Sequence, residues 1–490
     1  MSLVPTSLPE VILDDQFSPP KVSRWNAAHN PYVFEFTRKD SIVLAVANSS
    51  GRVQLTLSAN FLSGLQVGDT IYVNTEKYKG LYQVFLLPVG VVVIIDTPFV
   101  EASAGGYINY PELRPNYYVE IKIKQPNLTT LATLRYTPLI DGKARVDVSG
   151  AVQSYLSNLD KAIINGVDEP APTQQQPDGI SFPFKISYRE YWKNSGSQSE
   201  TNLNDFYYAV NGAFQIGHPN NGNYADFVVL NDDEKPKIFL SPFNVPVAYT
   251  NYLDLNLAYF IWDVDALGGD DIDLARFTVY GNAPNVEVPA NTTTDLIQLT
   301  QNGNTINKIN AVRFGLGGVS GVDNRAFVYI WLQRRSDNQP ITLKKKFRIR
   351  RLNEQDCNTI MLRWLAPDGS WANYLFEGNY RESLQVDAFS TFRQAFDNIS
   401  ELETFETVLK KRGFNKFQVG MTGLSANDAA GIKTLLYSPQ VYQIVSAGDF
   451  GFRRIGVIVE PGTFSIRPVA NKLFDIEFSV VFSEIFNQNA

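Results

Sequence analysis

One cysteine, Cys357, stands in 490 residues, so no disulfide can close within the chain and no cysteine cluster can hold a metal. Only two histidines are present, His29 and His218, far apart in sequence. Histidine is the commonest general base and a frequent metal ligand, so this scarcity argues against His-dependent catalysis and against a zinc site. Hydrolysis by a pair of carboxylates needs no histidine and stays open, although nothing in the sequence singles out such a pair. Charged residues are 19% of the chain, below the usual quarter, and the net charge is −7, which argues against a nucleic-acid surface. No run reaches the ~18 apolar residues of a membrane helix. The opening MSLVPTSLPEVILDDQF has no basic start followed by a long apolar stretch, so the expectation is a chain made in a cytoplasm and kept soluble. The Asn-x-Ser/Thr triplets at Asn127, Asn291 and Asn398 then read as chance matches.

What is abundant is core material. Hydrophobic residues make up 44% and aromatics 13%, enough for several cores, and the length suggests three or four domains. The pattern is mostly that of strands. Residues 1–30 carry Pro5, Pro9, Pro19 and Pro20 and read as an extended arm. That arm is either a disordered tail or a segment laid on a neighbouring subunit, because Val11, Ile12, Leu13 and Phe17 need a dry surface. Residues 31–38 alternate apolar and polar. Short strands at 53–57, 69–74, 81–87, 91–96 and 107–110, punctuated by glycine, predict a small closed barrel or tight sandwich at about 50–110. Tyr117–Lys124 is a clean alternating strand, with Tyr118, Glu120, Lys122 and Lys124 on one side and Tyr117, Val119, Ile121 and Ile123 on the other. The expected arrangement is one sandwich over 31–200 with the small barrel inserted between its strands. Ser149 is a candidate N-cap for a helix through Val152, Tyr155, Leu156 and Leu159.

A second sandwich is expected over 201–346, with strands at 253–261, 275–280, 294–300, 306–314, 326–333 and 341–350. Asp263, Asp265, Asp270, Asp271 and Asp273 invite a calcium reading. Leu267 stands where that loop needs Asp or Asn, and no Glu closes it, so a plain acidic loop is preferred and no metal site is assigned. Arg334-Arg335 and Lys344-Lys345-Lys346 read as a solvated strand edge that discourages mispairing, or as an interface with an acidic partner subunit.

The last module, 347–490, is expected to be α+β and is built around Cys357–Phe376, CNTIMLRWLAPDGSWANYLF. Two apolar runs flank Pro367-Asp368-Gly369, in which proline presets φ, aspartate caps its own backbone and glycine takes positive φ. This is a core hairpin, with Ile360, Leu362, Trp364, Trp371, Tyr374 and Phe376 as its bulk; Trp371 could instead face a partner. Residues 377–394 read as irregular, 399–409 as helical and 414–421 as a strand. Ser425 is the expected N-cap of a helix, with Asp428 in capping-box position and Ala429, Ile432, Leu435 and Leu436 on its buried face. Val441–Val445 and three further strands follow.

This stretch and the module around it resemble structural proteins of tailed phages that infect Bacteroidota. The likeness rests on the Cys357–Phe376 hairpin and on the run from Leu424-Ser425 through Leu435-Leu436-Tyr437-Ser438-Pro439 to Val441-Tyr442, about 140 residues in all. Looser echoes are Ala144-x-Val146-Asp147-Val148-Ser149, Tyr207–Ala213 and Phe239-Leu240-Ser241-Pro242-Phe243, an element that in such proteins precedes a new domain. Ala366-Pro367-Asp368 replaces the Asn-rich turn of the family pattern. The resemblance implies a mainly β protein, several sandwich and small-barrel domains in series with a C-terminal α+β module. It implies a virion component of the tail, assembled in the host cytoplasm as a homo-oligomeric ring or collar and contacting other tail proteins. No catalytic, cofactor-binding or metal-binding residue is assigned, and no cofactor, membrane contact or direct nucleic-acid recognition is expected. The alternative is a receptor- or glycan-binding tail protein, whose Tyr and Trp residues would stack on sugars.

Overall fold

The computed structural model describes residues 3–16, 18–38, 40–58, 65–109, 118–139, 143–156, 173–175, 179–192, 196–197, 199–214, 222–229, 239–249, 255–263, 272–280, 295–298, 308–314, 327–334, 339–350, 359–377, 381–393, 406–446, 452–469, 472–482 and 486–489. The chain is mainly β and forms two compact units. The first comprises Met1–Val11, Arg24–Ser154 and Phe182–Ala209; the second comprises Ile12–Ser23, Tyr155–Ser181 and Val210–Ala490.

In the first unit, two sheets face each other. One has the order Leu3–Ser7, Val33–Arg38, Lys143–Asp147. The other runs Thr130–Tyr136, Tyr118–Lys124, Ser181–Trp192, Tyr207–Val210, Trp25–Ala27. Alternation along Val33–Arg38 turns Phe34 and Phe36 inward. Phe34 meets Tyr207 edge-on at 4.8 Å and Phe36 meets Tyr188 at 4.7 Å, so aromatic pairs join the two sheets. Between Arg38 and Tyr118 the chain builds a second body. Its seven-stranded sheet is closed by a further pairing of Asp40–Ala47 with Arg52–Leu57, which makes it a barrel. Inward positions along the period-2 strands (Val53 and Leu55, Ile71 and Val73, Val93 and Ile95) are buried in its core. The expected strands at 53–57, 69–74, 81–87, 91–96 and 107–110 are all present within a residue or two.

The first thirty residues are extended, and they find partners within the chain. Leu3–Ser7 ladders onto Val33–Arg38, and Val11–Asp14 pairs with Lys21–Ser23. Leu13 is buried, Ile12 is exposed, and Phe17 lies outside the described residues. The helix at 149 is shorter than its periodicity suggests, Ser149–Gln153, and Leu159 lies outside the described residues. Ser149 is its first residue and not its cap: Val148 holds that position without a side-chain bond. The capping chemistry comes from Asp147 one residue earlier, whose Oδ1 accepts from the Ser149 and Tyr32 amides.

The second unit contains another sandwich. One sheet has the order Val247–Tyr249, Lys345–Arg350, Phe327–Arg334, Ile272–Tyr280, Asp295–Gln298, and the other Thr173–Gln175, Lys308–Arg313, Leu257–Trp262. Every residue of Leu257–Trp262 is buried, because both faces of that strand are covered. Ala258, Phe260 and Trp262 belong to the sandwich core. Tyr259 belongs to the hairpin described below.

The C-terminal sheet has nine strands, with the principal order Trp371–Glu377, Thr359–Leu365, Val441–Ser446, Phe452–Val459, Leu473–Phe482, Glu406–Leu424, Arg381–Arg393. Two sequence expectations fail here. Residues 381–393 are a thirteen-residue strand and not irregular. Residues 406–409, expected to be helical, begin a nineteen-residue strand; 399–405 lie outside the described residues. Ile399, Leu402, Phe405 and Leu409 fall at three- and four-residue spacing, which imitates a helix face, and ladder pairing with a distant partner overrides it. The helix Ala426–Lys433 is capped as expected. Ser425 Oγ accepts from the Asp428 amide at 3.1 Å and donates to Asp428 Oδ2 at 3.0 Å. Ala429, Ile432 and Leu435 are buried, but Leu436, in the 3-10 turn that follows, points outward.

Candidate functional site

The hairpin Thr359–Leu365 and Trp371–Glu377 is the centre of the second unit. Its register pairs Leu365 with Trp371 and Ile360 with Phe376. Trp364 and Trp371 lie on its two strands and both are buried, so Trp371 is a core residue. In the turn, Asp368 Oδ1 accepts from the Ser370 amide at 3.1 Å and from Ser370 Oγ at 2.7 Å. Gly369 has φ of +81°, and a Cβ there would lie 2.7 Å from Val210 Cγ1. The turn is therefore tightened both by its own chemistry and by the segment it presses on: the Ala213 amide donates to the Pro367 carbonyl at 2.7 Å.

Phe239–Phe243 does not simply precede a domain. Phe239 sits in the sandwich core, and Phe243 enters the hairpin, edge-on to Trp364 at 6.0 Å and stacked on Tyr374 at 5.8 Å. The helix Ala426–Lys433 closes over it. A Cβ at Gly431 would lie 2.2 Å from the Phe243 ring, so only glycine fits. Trp364 Nε1 donates to Thr434 Oγ1 at 2.9 Å, tying hairpin to helix end.

Polar groups lie buried between hairpin and sandwich. Arg363 is fully buried, donates to Tyr259 Oη at 3.1 Å and lies against the Trp371 ring. Lys345 Nζ donates to the Phe243 carbonyl at 2.8 Å. Burial lowers its pKa from the ordinary 10.5 to about 8, with Asp368 pulling the other way. Burial likewise raises the Asp368 carboxyl, and Oδ2 has no hydrogen-bond partner among the described residues. Tyr249 Oη accepts from the Leu375 amide at 2.9 Å. The cavity beside Lys345, Tyr259, Ser370 and Asn373 measures about 30 Å³, room for a water or two and far below the several hundred Å³ of a ligand pocket. This cluster is a structural joint, and it carries a pH signature. A lysine whose folded pKa is depressed costs stability as pH falls from 10.5 towards about 8, and the cost is constant below that. The stability of Lys345→Met relative to wild type should therefore rise as pH falls through that window and stay level below it, as read by urea unfolding at each pH.

The sequence-flagged residues scatter. Lys345–Arg350 ladders onto Phe327–Arg334 at Lys345–Arg348 and onto Val247–Tyr249 only at Arg348–Arg350, so at Lys345 and Lys346 the other side of the strand has no ladder partner among the described residues. Lys344 lies over the Trp331 ring at 4.6 Å and Lys346 over Phe327 at 3.7 Å, so their charges are used within the sandwich. Asp263 is buried at the end of a strand and Asp273 lies within Ile272–Tyr280; Asp265, Asp270 and Asp271 are outside the described residues, as are Arg335, Cys357 and His218. Among the described residues no group of three or more His, Cys, Asp or Glu could hold a metal, and no helix is long and apolar enough to cross a membrane. Treatment with a chelator is expected to leave the melting temperature unchanged; a drop of several degrees would assign an ion to the Asp263–Asp273 stretch.

Sequence reasoning missed a long ribbon. Arg381–Arg393 pairs antiparallel with Glu406–Gln418, from Arg381↔Gln418 to Arg393↔Glu406, with irregularities near Ser390. Thirteen residues at about 3.3 Å each span roughly 40 Å. Only the Lys416–Leu424 end of the longer strand ladders onto Phe474–Val481; beyond it, Phe486–Asn489 pairs at Lys410–Gly413. The outer edge of Arg381–Arg393 has no ladder partner among the described residues. It contains no proline to blunt it, while Arg381, Glu382, Asp387 and Arg393 place charge along it. The signal was there in the alternation of Leu384, Val386 and Ala388 with polar residues.

No family model matches the chain, and no curated protein matches it. Among solved structures, the FN1–FN3 domains of chicken CNTN1 align at 10% identity over 64% of this chain and 96% of that one, with a TM-score of 0.14. A score that low carries no argument about fold or function.

Proposed function

We propose that this chain is a non-enzymatic structural protein of the virion of a tailed bacteriophage infecting Bacteroidota, a tail component that assembles into a homo-oligomeric ring or collar and contacts other tail proteins. The observation that carries the assembly part is the ribbon Arg381–Arg393 with Glu406–Gln418, which outruns its own sheet and keeps an outer edge with no ladder partner among the described residues. An open strand edge of this length is a ready template for pairing with another chain. The assignment to phage tails rests on the hairpin and the Leu424–Tyr442 run.

The test is to shorten the ribbon. Val386 and Gly413 are paired, so residues 387–412 can be replaced by Asn-Gly, which closes a two-residue hairpin in register. Sedimentation should show the wild-type chain assembling and the shortened chain, which also loses the Lys410–Arg412 partners of Phe486–Asn489, as a folded monomer. A shortened chain that assembles like wild type would remove the ribbon from the account.

A further inference from the structure

Basic residues also gather where no run in the sequence marks them. In the first unit, ladder register places Tyr118 opposite Tyr191, Glu120 opposite Arg189 and Arg135, Lys122 opposite Ser187 and Thr133, and Lys124 opposite Lys185. All lie on one face of the sheet, the face opposite the buried Val119, Ile121 and Ile123. Two carboxylates serve four cations there. Glu120, itself buried, accepts from Arg189 Nη2 at 2.6 Å and from Arg135 Nε at 3.2 Å. Glu200 accepts from Lys122 at 2.5 Å and from Lys124, which hold its carboxyl down at about 2. Lys185 has no ion pair among the described residues; its ammonium lies over the Phe206 ring at 4.2 Å. The described face thus carries five cations against two carboxylates, a net +3, on a chain of net −7.

The aromatic pair on this face does not suit a sugar. Tyr118 and Tyr191 stack on each other at 5.1 Å and 11°, Arg135 lies over Tyr118 and Arg189 over Tyr191. The ring faces are occupied, and what remains to recognise a partner is guanidinium and ammonium chemistry, which suits oxyanions such as carboxylates. On one strand, Glu120, Lys122 and Lys124 are alternate residues, each roughly 7 Å from the next, a spacing that side chains on a facing strand repeat.

We propose that this face docks on an acidic surface of a second copy of the chain, head to tail; the proposal rests on the assembly reading above. Charge supplies the choice of partner. With +3 gathered on this face, the remainder of the chain carries −10, so a second copy is on balance acidic outside this face. Two such faces repel each other, which disfavours a basic-on-basic contact and suits a heterologous one, the kind that closes rings.

The experiment is sedimentation velocity on the full chain, wild type and Thr133→Glu/Lys185→Glu, in 0.1 M and 1 M NaCl, where the Debye length is about 10 Å and 3 Å. Thr133 is exposed and takes no part in the ion pairs, and the double change brings the face to neutral. Wild-type association should weaken at least about tenfold in 1 M salt, and the variant should be weaker by a similar factor in 0.1 M salt with its melting temperature nearly unchanged. Thr133→Glu alone, which removes no contact, should show a smaller loss in the same direction. A variant that associates as tightly as wild type overturns the proposal while leaving ribbon-mediated assembly standing, and the ribbon-shortened chain reports on that reading separately. A variant that assembles normally but loses retention on heparin would assign the face to an anionic polysaccharide and equally overturn it. Wild-type chain that is monomeric in 0.1 M salt at the highest attainable concentration overturns it too.

Discussion

Trp364→Ala is expected to open the second unit to protease while the first unit digests as in wild type. Trp364 has no exposed surface, packs edge-on to Phe243 and donates to Thr434 at 2.9 Å. Truncating a fully buried tryptophan costs on the order of 3–5 kcal/mol, against a total stability of about 5–15 kcal/mol for a domain. The lost indole also frees the helix Ala426–Lys433, whose eight residues are too few to hold without packing. Limited proteolysis, read by mass spectrometry, checks this. Cleavage within 210–490 should appear at protease concentrations that leave the wild type intact. A variant as resistant as wild type would mean that the hairpin is not the core of this unit.

The second large effect runs against helix propensity. Gly431→Ala in an exposed helix would stabilise by about 1 kcal/mol. Here the new methyl would lie 2.2 Å from a Phe243 ring that is already held by Trp364 and Tyr374, so no neighbour can yield. Overpacking of this kind costs about 1–3 kcal/mol and sometimes more, which outweighs the propensity gain. The urea midpoint of Gly431→Ala should fall. Pairing it with Phe243→Leu should recover part of the loss, because the two sites share one space. A midpoint at or above wild type would show that the helix does not seat on Phe243 as described.

Both residues belong to what the sequence made legible and to what it hid. The hairpin was readable because its chemistry is local: alternating apolar runs, and a Pro-Asp-Gly turn whose aspartate bonds two residues on. The small barrel was readable for the same reason, glycine-bounded strands of period two. Phe243 was visible only as part of a motif, since its partners lie more than a hundred residues away. The ribbon was misread as irregular chain followed by helix, because Ile399, Leu402, Phe405 and Leu409 carry helical spacing and only the ladder decides. Charge misled in a comparable way. Three consecutive lysines at 344–346 looked like a surface patch, yet Lys345 is drawn inward to the Phe243 carbonyl. The face that does gather positive charge takes Arg135, Lys122, Lys124, Lys185 and Arg189 from three strands, so no linear window contains it.

The role proposed for the chain is that of a self-assembling structural component, and one image tests it most directly: negative-stain electron microscopy of the purified full-length protein at low ionic strength. The account predicts closed rings or collars built from repeated subunits. A lone trimeric spike would contradict it and point to the receptor-binding alternative.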